Sequence, residues 1–149
     1  MATENKNLST YDKDSLPSVV GKRVGIITSQ WNGQITNNMR KGAVDTLLDC
    51  GFSPENIIEW SVPGAFELVN GAKRMIEEAV DAVIVIGCVI QGETKHFDFV
   101  CQGVTYGIAH LNATQDIPVI FCVLTDNTLQ QSIDRSGGKH GNKGIEAAI

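Results

Sequence analysis

Residues 92–100 read GETKHFDFV and follow directly on the apolar run DAVIVIGCVI at 81–90. A glycine, a carboxylate, a hydroxyl and a histidine in so short a space suit a site that holds an anion and moves a proton. Gly92, followed by the amides of Glu93 and Thr94 at the opening of a helix, makes a workable anion cradle. The pattern is weaker than a P-loop, since no second glycine followed by Lys-Ser or Lys-Thr is present. His96 has the one side chain that ordinarily titrates near neutral pH, as general acid–base work requires. A lone histidine is more often structural. His110, inside a helical stretch, and His140, in a glycine-rich loop, take that reading.

Three further stretches carry chemistry of the same kind. Trp31 could lie flat on a planar heterocycle, or pack between loop and sheet. In VPGAFE (62–67), Gly64 and Ala65 remove bulk where backbone could approach a ligand, and Phe66 could wall it. The competing reading is a tight turn from strand to helix. In DRSGGKHGNKG (134–144), Arg135, Lys139 and Lys143 stand among glycines. An arginine can grip phosphate through two parallel bonds, or simply be solvated.

These residues need elements to position them. KRVGIITS (22–29) reads as a strand, NIIEWSV (56–62) as a second, DAVIVIGCVI (81–90) as a third and IPVIFCVLT (117–125) as a fourth. The third is the most apolar and therefore central. Between them the period changes. Ile35, Met39, Ala43 and Leu47 recur every four residues, with Val44 and Leu48 beside them, and Gly51 stands where a helix C-cap belongs. Residues 63–79 predict a helix opened by Pro63. Residues 97–115 predict another. Two last helical pieces lie on either side of a break at GGKHG. Strands alternating with helices imply an α/β domain with a parallel, four-stranded sheet. Ligands of such sheets bind outside the carboxyl ends of the strands, here SQWNG (29–33), SVPGAFE (61–67), CVIQGETKH (88–96) and LTDNT (124–128).

Composition narrows the partners. A chain of 149 residues, 42% hydrophobic and 19% charged, suits one soluble domain. The net charge is −5 and no basic block occurs, so nucleic acid has no electrostatic footprint here. Cys50, Cys88, Cys101 and Cys122 form no C-x-x-C pair and no zinc spacing, which suits a reduced, cytoplasmic setting. No run reaches the length of a membrane span, and residues 1–21 lack the apolar middle of a signal peptide. Those 21 residues read as a tail, loose or packed on a neighbouring subunit, before a domain at 22–149.

WN (31–32), VPGAFEL (62–68), GETKHFDFV (92–100), FCVLTDNT (121–128) and DRSGGKHGNKGIEAA (134–148), in this order and spacing, resemble the 6,7-dimethyl-8-ribityllumazine synthase family. The resemblance implies a flavodoxin-like three-layer α/β/α sandwich. It also implies condensation of 5-amino-6-(ribitylamino)uracil with 3,4-dihydroxy-2-butanone 4-phosphate in riboflavin biosynthesis, with no metal and no cofactor. By the same resemblance, Trp31 stacks on the pyrimidine and Asn32 stands beside it. Ala65, Phe66 and Glu67 line the pyrimidine and ribityl pocket, and Cys88, Val89 and Ile90 meet the uracil edge with their backbone. Glu93 and Thr94 bind the phosphorylated ketone and His96 transfers protons. Phe121 and Arg135 come from the neighbouring subunit, Arg135 to hold phosphate. The expected assembly is a homo-pentamer. The short SGGKHGNKG segment resembles that of members forming a sixty-subunit shell, a form that admits association with riboflavin synthase.

Three rival readings lose ground on particular residues. A flavin- or lumazine-binding module would not need His96 and Arg135 together. A shell protein with a vestigial site would not keep the full motif set. A phospho-acceptor receiver domain would want aspartates where strands one and three end in TSQWN and GCVIQG.

Overall fold

The computed structural model describes residues 9–149; the first eight residues of the 1–21 tail lie outside it. Four strands, β1 (Val24–Ser29), β2 (Ile57–Val62), β3 (Ala82–Ile90) and β4 (Val119–Asp126), form one parallel sheet in the order β2-β1-β3-β4. Parallel neighbours need a crossover between them. Helices α1 (Gly33–Asp49), α2 (Leu68–Ile76) and α3 (His96–Thr114) supply those crossovers, and α4 (Leu129–Arg135) and α5 (Lys143–Ala148) follow β4.

Strand alternation divides the apolar residues between two faces. Ile27, Val83 and Val85 pack with Leu68, Ala72 and Met75 of α2 and with Val104, Ile108 and Leu111 of α3. Ile26, Ile84, Ile86 and Cys88 face the other way, onto Ile35, Met39, Ala43 and Leu47 of α1. The sheet is therefore the middle of three layers. Because β3 is covered on both faces, its sequence is continuously apolar and not alternating, as expected of a central parallel strand. The four α1 residues picked out by periodicity are all buried, whereas Leu48 is turned outward.

Two expectations are corrected. The second helix starts at Leu68, not at Pro63. Residues 63–67 are a turn whose backbone is already committed. The Trp31 N–H donates to the Pro63 carbonyl at 3.1 Å, and the Glu67 Oε2 accepts from the Gly64 N–H at 3.0 Å. The Gly64 amide is therefore not the free N–H group of a helix start. The GGKHG break is also more than a break. β5 (Ser136–Gly138) and β6 (Gly141–Asn142) pair there as a small antiparallel hairpin, with Gly137 and Gly141 at positive φ.

The hairpin delivers α5 onto α1 at very short range. A Cβ on Gly144 would lie 1.8 Å from the Met39 carbonyl oxygen. The first helix ends as predicted: Gly51 sits at φ +99°, and Phe52 N–H closes onto the Leu47 carbonyl at 3.0 Å. The described part of the tail rests on its own chain. Ser9 accepts from the Asn142 N–H at 2.8 Å, and the Tyr11 hydroxyl donates to Asp49 Oδ2 at 2.8 Å.

Cys122 on β4 is the most perturbed thiol. Burial chiefly, with Glu146 adding to it against Lys143, pushes its pKa up to about 12. Burial raises Cys50, Cys88 and Cys101 as well.

Two outcomes follow from this packing. Gly144→Ala should lower stability by about 1–3 kcal/mol or more in chemical denaturation, because the obstacle is main chain and cannot rotate away. The Cys122 thiol is neutral when folded but ionises near pH 9 when unfolded, so its contribution is complete below that pH and drains away as pH climbs toward 12. Between pH 9 and 10, Cys122→Ala should therefore show a shallower loss of stability than the parent, by on the order of 1 kcal/mol. Equal slopes would show that Cys122 is not kept protonated by the fold.

Candidate functional site

The site begins with a difference in strand length. β1 pairs with β3 only as far as Thr28 opposite Ile86. β4 continues alongside β3 as far as Asp126 opposite Ile90. The end of β3, from Gly87 to Ile90, thus runs past β1 with one side uncovered. Backbone groups of a strand point alternately to its two neighbours. Gln91 N–H donates to the Asp126 carbonyl on the β4 side, at 2.9 Å. The Cys88 carbonyl is on the β1 side, where Asn32 Nδ2 donates to it at 2.9 Å. By the same alternation, Ile90 presents its backbone to the β1 side, beyond the end of β1.

Asn32 is the pivot of this corner. It adopts a left-handed backbone, φ 57° and ψ 43°, immediately before α1. Few side chains other than glycine tolerate that conformation, and asparagine is among them. The turn lets the chain leave β1 sharply, and the side-chain bond ties it to β3. Trp31, just before it, is left 73% exposed with its backbone fixed to Pro63.

A cleft of about 710 Å³ opens between these parts, within the size range of small-molecule sites. Trp31 and Asn32 form one wall. Ala65, Phe66 and Glu67 form a second, with Gly64 at its edge. Cys88, Val89 and Ile90 form the floor, and His96 at the first turn of α3 closes the far side. Phe66 rests one part of its ring on Gly103 of α3 and is 57% exposed, so a second aromatic ring also faces solvent here. Most of the lining is apolar, with a few polar groups converging on it.

Glu93 and Thr94 lie exposed in the link between β3 and α3. Thr94 Oγ1 accepts from the His96 N–H at 3.4 Å, a long contact. They stand beside the cleft mouth and do not line it. Phe121 and Arg135 are elsewhere. Both border a separate cleft of about 450 Å³ along the β4 edge of the sheet, together with Lys143 and Glu146. Within one chain the sequence-derived residues therefore fall into two groups on different edges.

The structure adds two residues to the cleft that sequence reading left out. Phe99, 67% exposed, and Val100 line it beside His96. Their signal was helical spacing: positions 96, 99 and 100 share one face of α3. Lys143 is committed to Glu146, at 2.7 Å, and Lys139 and His140 stand in the hairpin turn. His110 borders a groove between α2 and α3, away from the cleft.

Cys88 is held as a neutral thiol. Burial raises its pKa most; the bond to Ser132 lowers it, and the nearby Asp126 charge raises it again. It is thus a wall of the cleft and not a thiolate nucleophile. Among the described residues no group of three His, Cys, Asp or Glu is placed to hold a metal. No helix among them is long and apolar enough to cross a membrane.

A doubly covered parallel sheet with an aromatic cleft at its carboxyl edge and a histidine on the next helix defines an α/β enzyme of small molecules. The chain belongs to the 6,7-dimethyl-8-ribityllumazine synthase family, whose model matches residues 21–149. Proteins carrying that name are similar over the whole of this chain. That of Flavobacterium johnsoniae is 65% identical, with 79% of its own length covered. Those of Christiangramia forsetii and Parabacteroides distasonis are 58% and 53% identical, with 90% and 94% covered.

The corner at Asn32 gives a stability test. Asn32→Gly keeps the left-handed turn and loses the bond to Cys88, at a cost of about 1 kcal/mol. Asn32→Ala loses both and should cost about 1 kcal/mol more. Equal losses in urea titrations would mean that the backbone there is unstrained.

Proposed function

We propose that this chain condenses 5-amino-6-(ribitylamino)uracil with 3,4-dihydroxy-2-butanone 4-phosphate to give 6,7-dimethyl-8-ribityllumazine, phosphate and water. The observation that carries the reading is the meeting of Trp31, Phe66, the open backbone of β3 and His96 around one cleft, in a chain belonging to this family. A planar pyrimidine needs a flat apolar wall and a hydrogen-bonding edge. Trp31 and Phe66 supply the first, and the β1-facing backbone at Ile90 supplies the second. Glu67 accepts from the ribityl hydroxyls while its Oε2 steadies the turn through Gly64.

The phosphorylated ketone takes the mouth of the cleft, against the amides of Glu93 and Thr94 and the Thr94 hydroxyl. The amine attacks the ketone carbonyl and water leaves to give an imine. Phosphate is eliminated, the resulting enol rearranges, and attack of the second amine closes the ring with loss of a further water. Each step moves protons, and His96 is the group placed to move them. General acid–base help of this kind contributes roughly 10²–10⁴-fold. Holding two reactants in attacking geometry contributes up to several kcal/mol more. No step calls for a redox centre or a metal.

Arg135 and Phe121 complete the site of an adjacent copy, since they face a different edge from His96. A head-to-tail interface of this kind closes into a ring, here a pentamer. The short hairpin between α4 and α5 favours further assembly of pentamers into a sixty-subunit shell in the cytoplasm, able to associate with riboflavin synthase.

The test is the appearance of the fluorescent lumazine above the uncatalysed rate. Arg135→Ala should raise KM for the ketone by about 10-fold or more, and His96→Ala should act mainly on kcat. Refolding the two impaired variants together should restore about a quarter of the sites to parental kinetics, each built from an intact His96 and a neighbour's intact Arg135. A folded, assembled protein that gives no acceleration would return the chain to a ligand-binding role. Failure of the mixture alone would place Arg135 in its own chain's site.

A further inference from the structure

Helix α4, which carries Arg135, is seven residues long, and Ser132 is its only buried residue. Leu129 and Ile133 are only partly covered, at 51% and 36% exposure. The helix therefore has no fully buried apolar side chain to hold it down. What holds it is polar. Ser132, fully buried, donates to Asp126 Oδ2 at 2.8 Å and accepts from the Cys88 thiol at 3.4 Å.

Asp126 is fixed on all sides. Its backbone is the last paired residue of β4, opposite Ile90, and its carbonyl accepts from Gln91. The residue is 8% exposed, and its carboxylate divides its oxygens. Oδ2 takes the Ser132 hydroxyl, and Oδ1 faces Arg135 Nε at 3.9 Å, too far for a hydrogen bond but within the range of charge attraction. Arg135 Nη1 donates to the Gln131 carbonyl at 3.0 Å. Carboxylate on one side and carbonyl on another leave the remaining guanidinium N–H groups to face the β4-edge cleft. Ser132 and Arg135 are three apart, on one face of α4, so both reach the same carboxylate.

We propose that Asp126 is a positioning residue for the phosphate-holding Arg135, acting together with Ser132; the proposal rests on the reading of Arg135 given above. The carboxylate anchors the helix through Ser132 and turns the guanidinium through its charge. Because Asp126 is paired to the same β3 end that floors the pyrimidine cleft, the phosphate grip and that floor share one rigid frame. The Asp126 carboxylate is engaged by Ser132 and Arg135, and its negative charge repels a phosphate where the guanidinium attracts it. Its effect must therefore pass through Arg135 and fall on the phosphorylated ketone alone.

Steady-state kinetics of the assembled enzyme test this, with inorganic phosphate as a competing probe. Asp126→Asn is nearly isosteric and still accepts from Ser132, but it loses the charge that turns Arg135. It should raise KM for the ketone and Ki for phosphate by about threefold or more, with KM for the aminouracil unchanged. Ser132→Ala removes the anchor from the other end and should give the same split. In an Arg135→Ala background, Asp126→Asn should have no further effect on the ketone, as a double-mutant cycle requires of two residues acting in series. An unchanged ketone KM overturns the proposal. So do equal losses for both substrates, or a loss that persists without Arg135, each of which marks a merely structural role. If Arg135→Ala itself leaves the ketone KM unchanged, the parent reading of Arg135 fails and takes this one with it.

Discussion

A buried parallel strand has to end somewhere, and at its end its main-chain polar groups lose their neighbours. In this protein β3 outruns β1 by about four residues while β4 keeps pace with it. Everything functional is arranged around that one-sided ending. The exposed side needs partners, and the structure provides them sparingly. Asn32 takes the Cys88 carbonyl, and the rest is left facing a cleft. Buried backbone without a partner is costly, so such an edge is a place where a ligand with a hydrogen-bonding rim is welcome.

The walls of the cleft then follow from how each neighbour turns away from the sheet. β1 ends in a left-handed residue and throws Trp31 outward. β2 ends in a turn pinned by Glu67 that delays its helix and leaves Phe66 free of the core. β3 leads through a short polar link into α3, which begins at His96. Three successive turns, each with a different local cause, place two aromatic rings and an imidazole around one space.

Much of this was legible in the sequence. The four strands, the central place of β3 and the buried face of α1 came from period and apolar content alone. Cleft residues were found wherever an unusual side chain followed a strand. The misses have physical causes. Pro63 suits the first turn of a helix, but here the main chain of the next residues was already engaged by Trp31 and by the Glu67 carboxylate, a long-range bond and a local one that no propensity records. Phe99 and Val100 were passed over because they read as ordinary helix residues, and only the direction of α3 turns them toward the cleft. Asp126, within FCVLTDNT, and Ser132 drew no role of their own, because a bond between residues six apart in sequence, buried under a seven-residue helix, leaves no periodic trace. Strand order was likewise closed to sequence reading, since it depends on pairings that lie far apart along the chain.

The polar docking of α4 has a thermodynamic consequence of its own. Denaturant sensitivity and heat-capacity change both grow with the apolar area exposed when a segment opens. Lifting α4 breaks the Ser132 bonds and uncovers only the covered parts of Leu129 and Ile133, far less hydrocarbon than the sheet holds. Opening of this helix should thus respond less steeply to urea and to temperature than unfolding of the sheet beneath it. Its amide protons would exchange with solvent through a motion separate from global unfolding. The β4 edge of the molecule therefore has its own clock, set by one hydroxyl and one carboxylate.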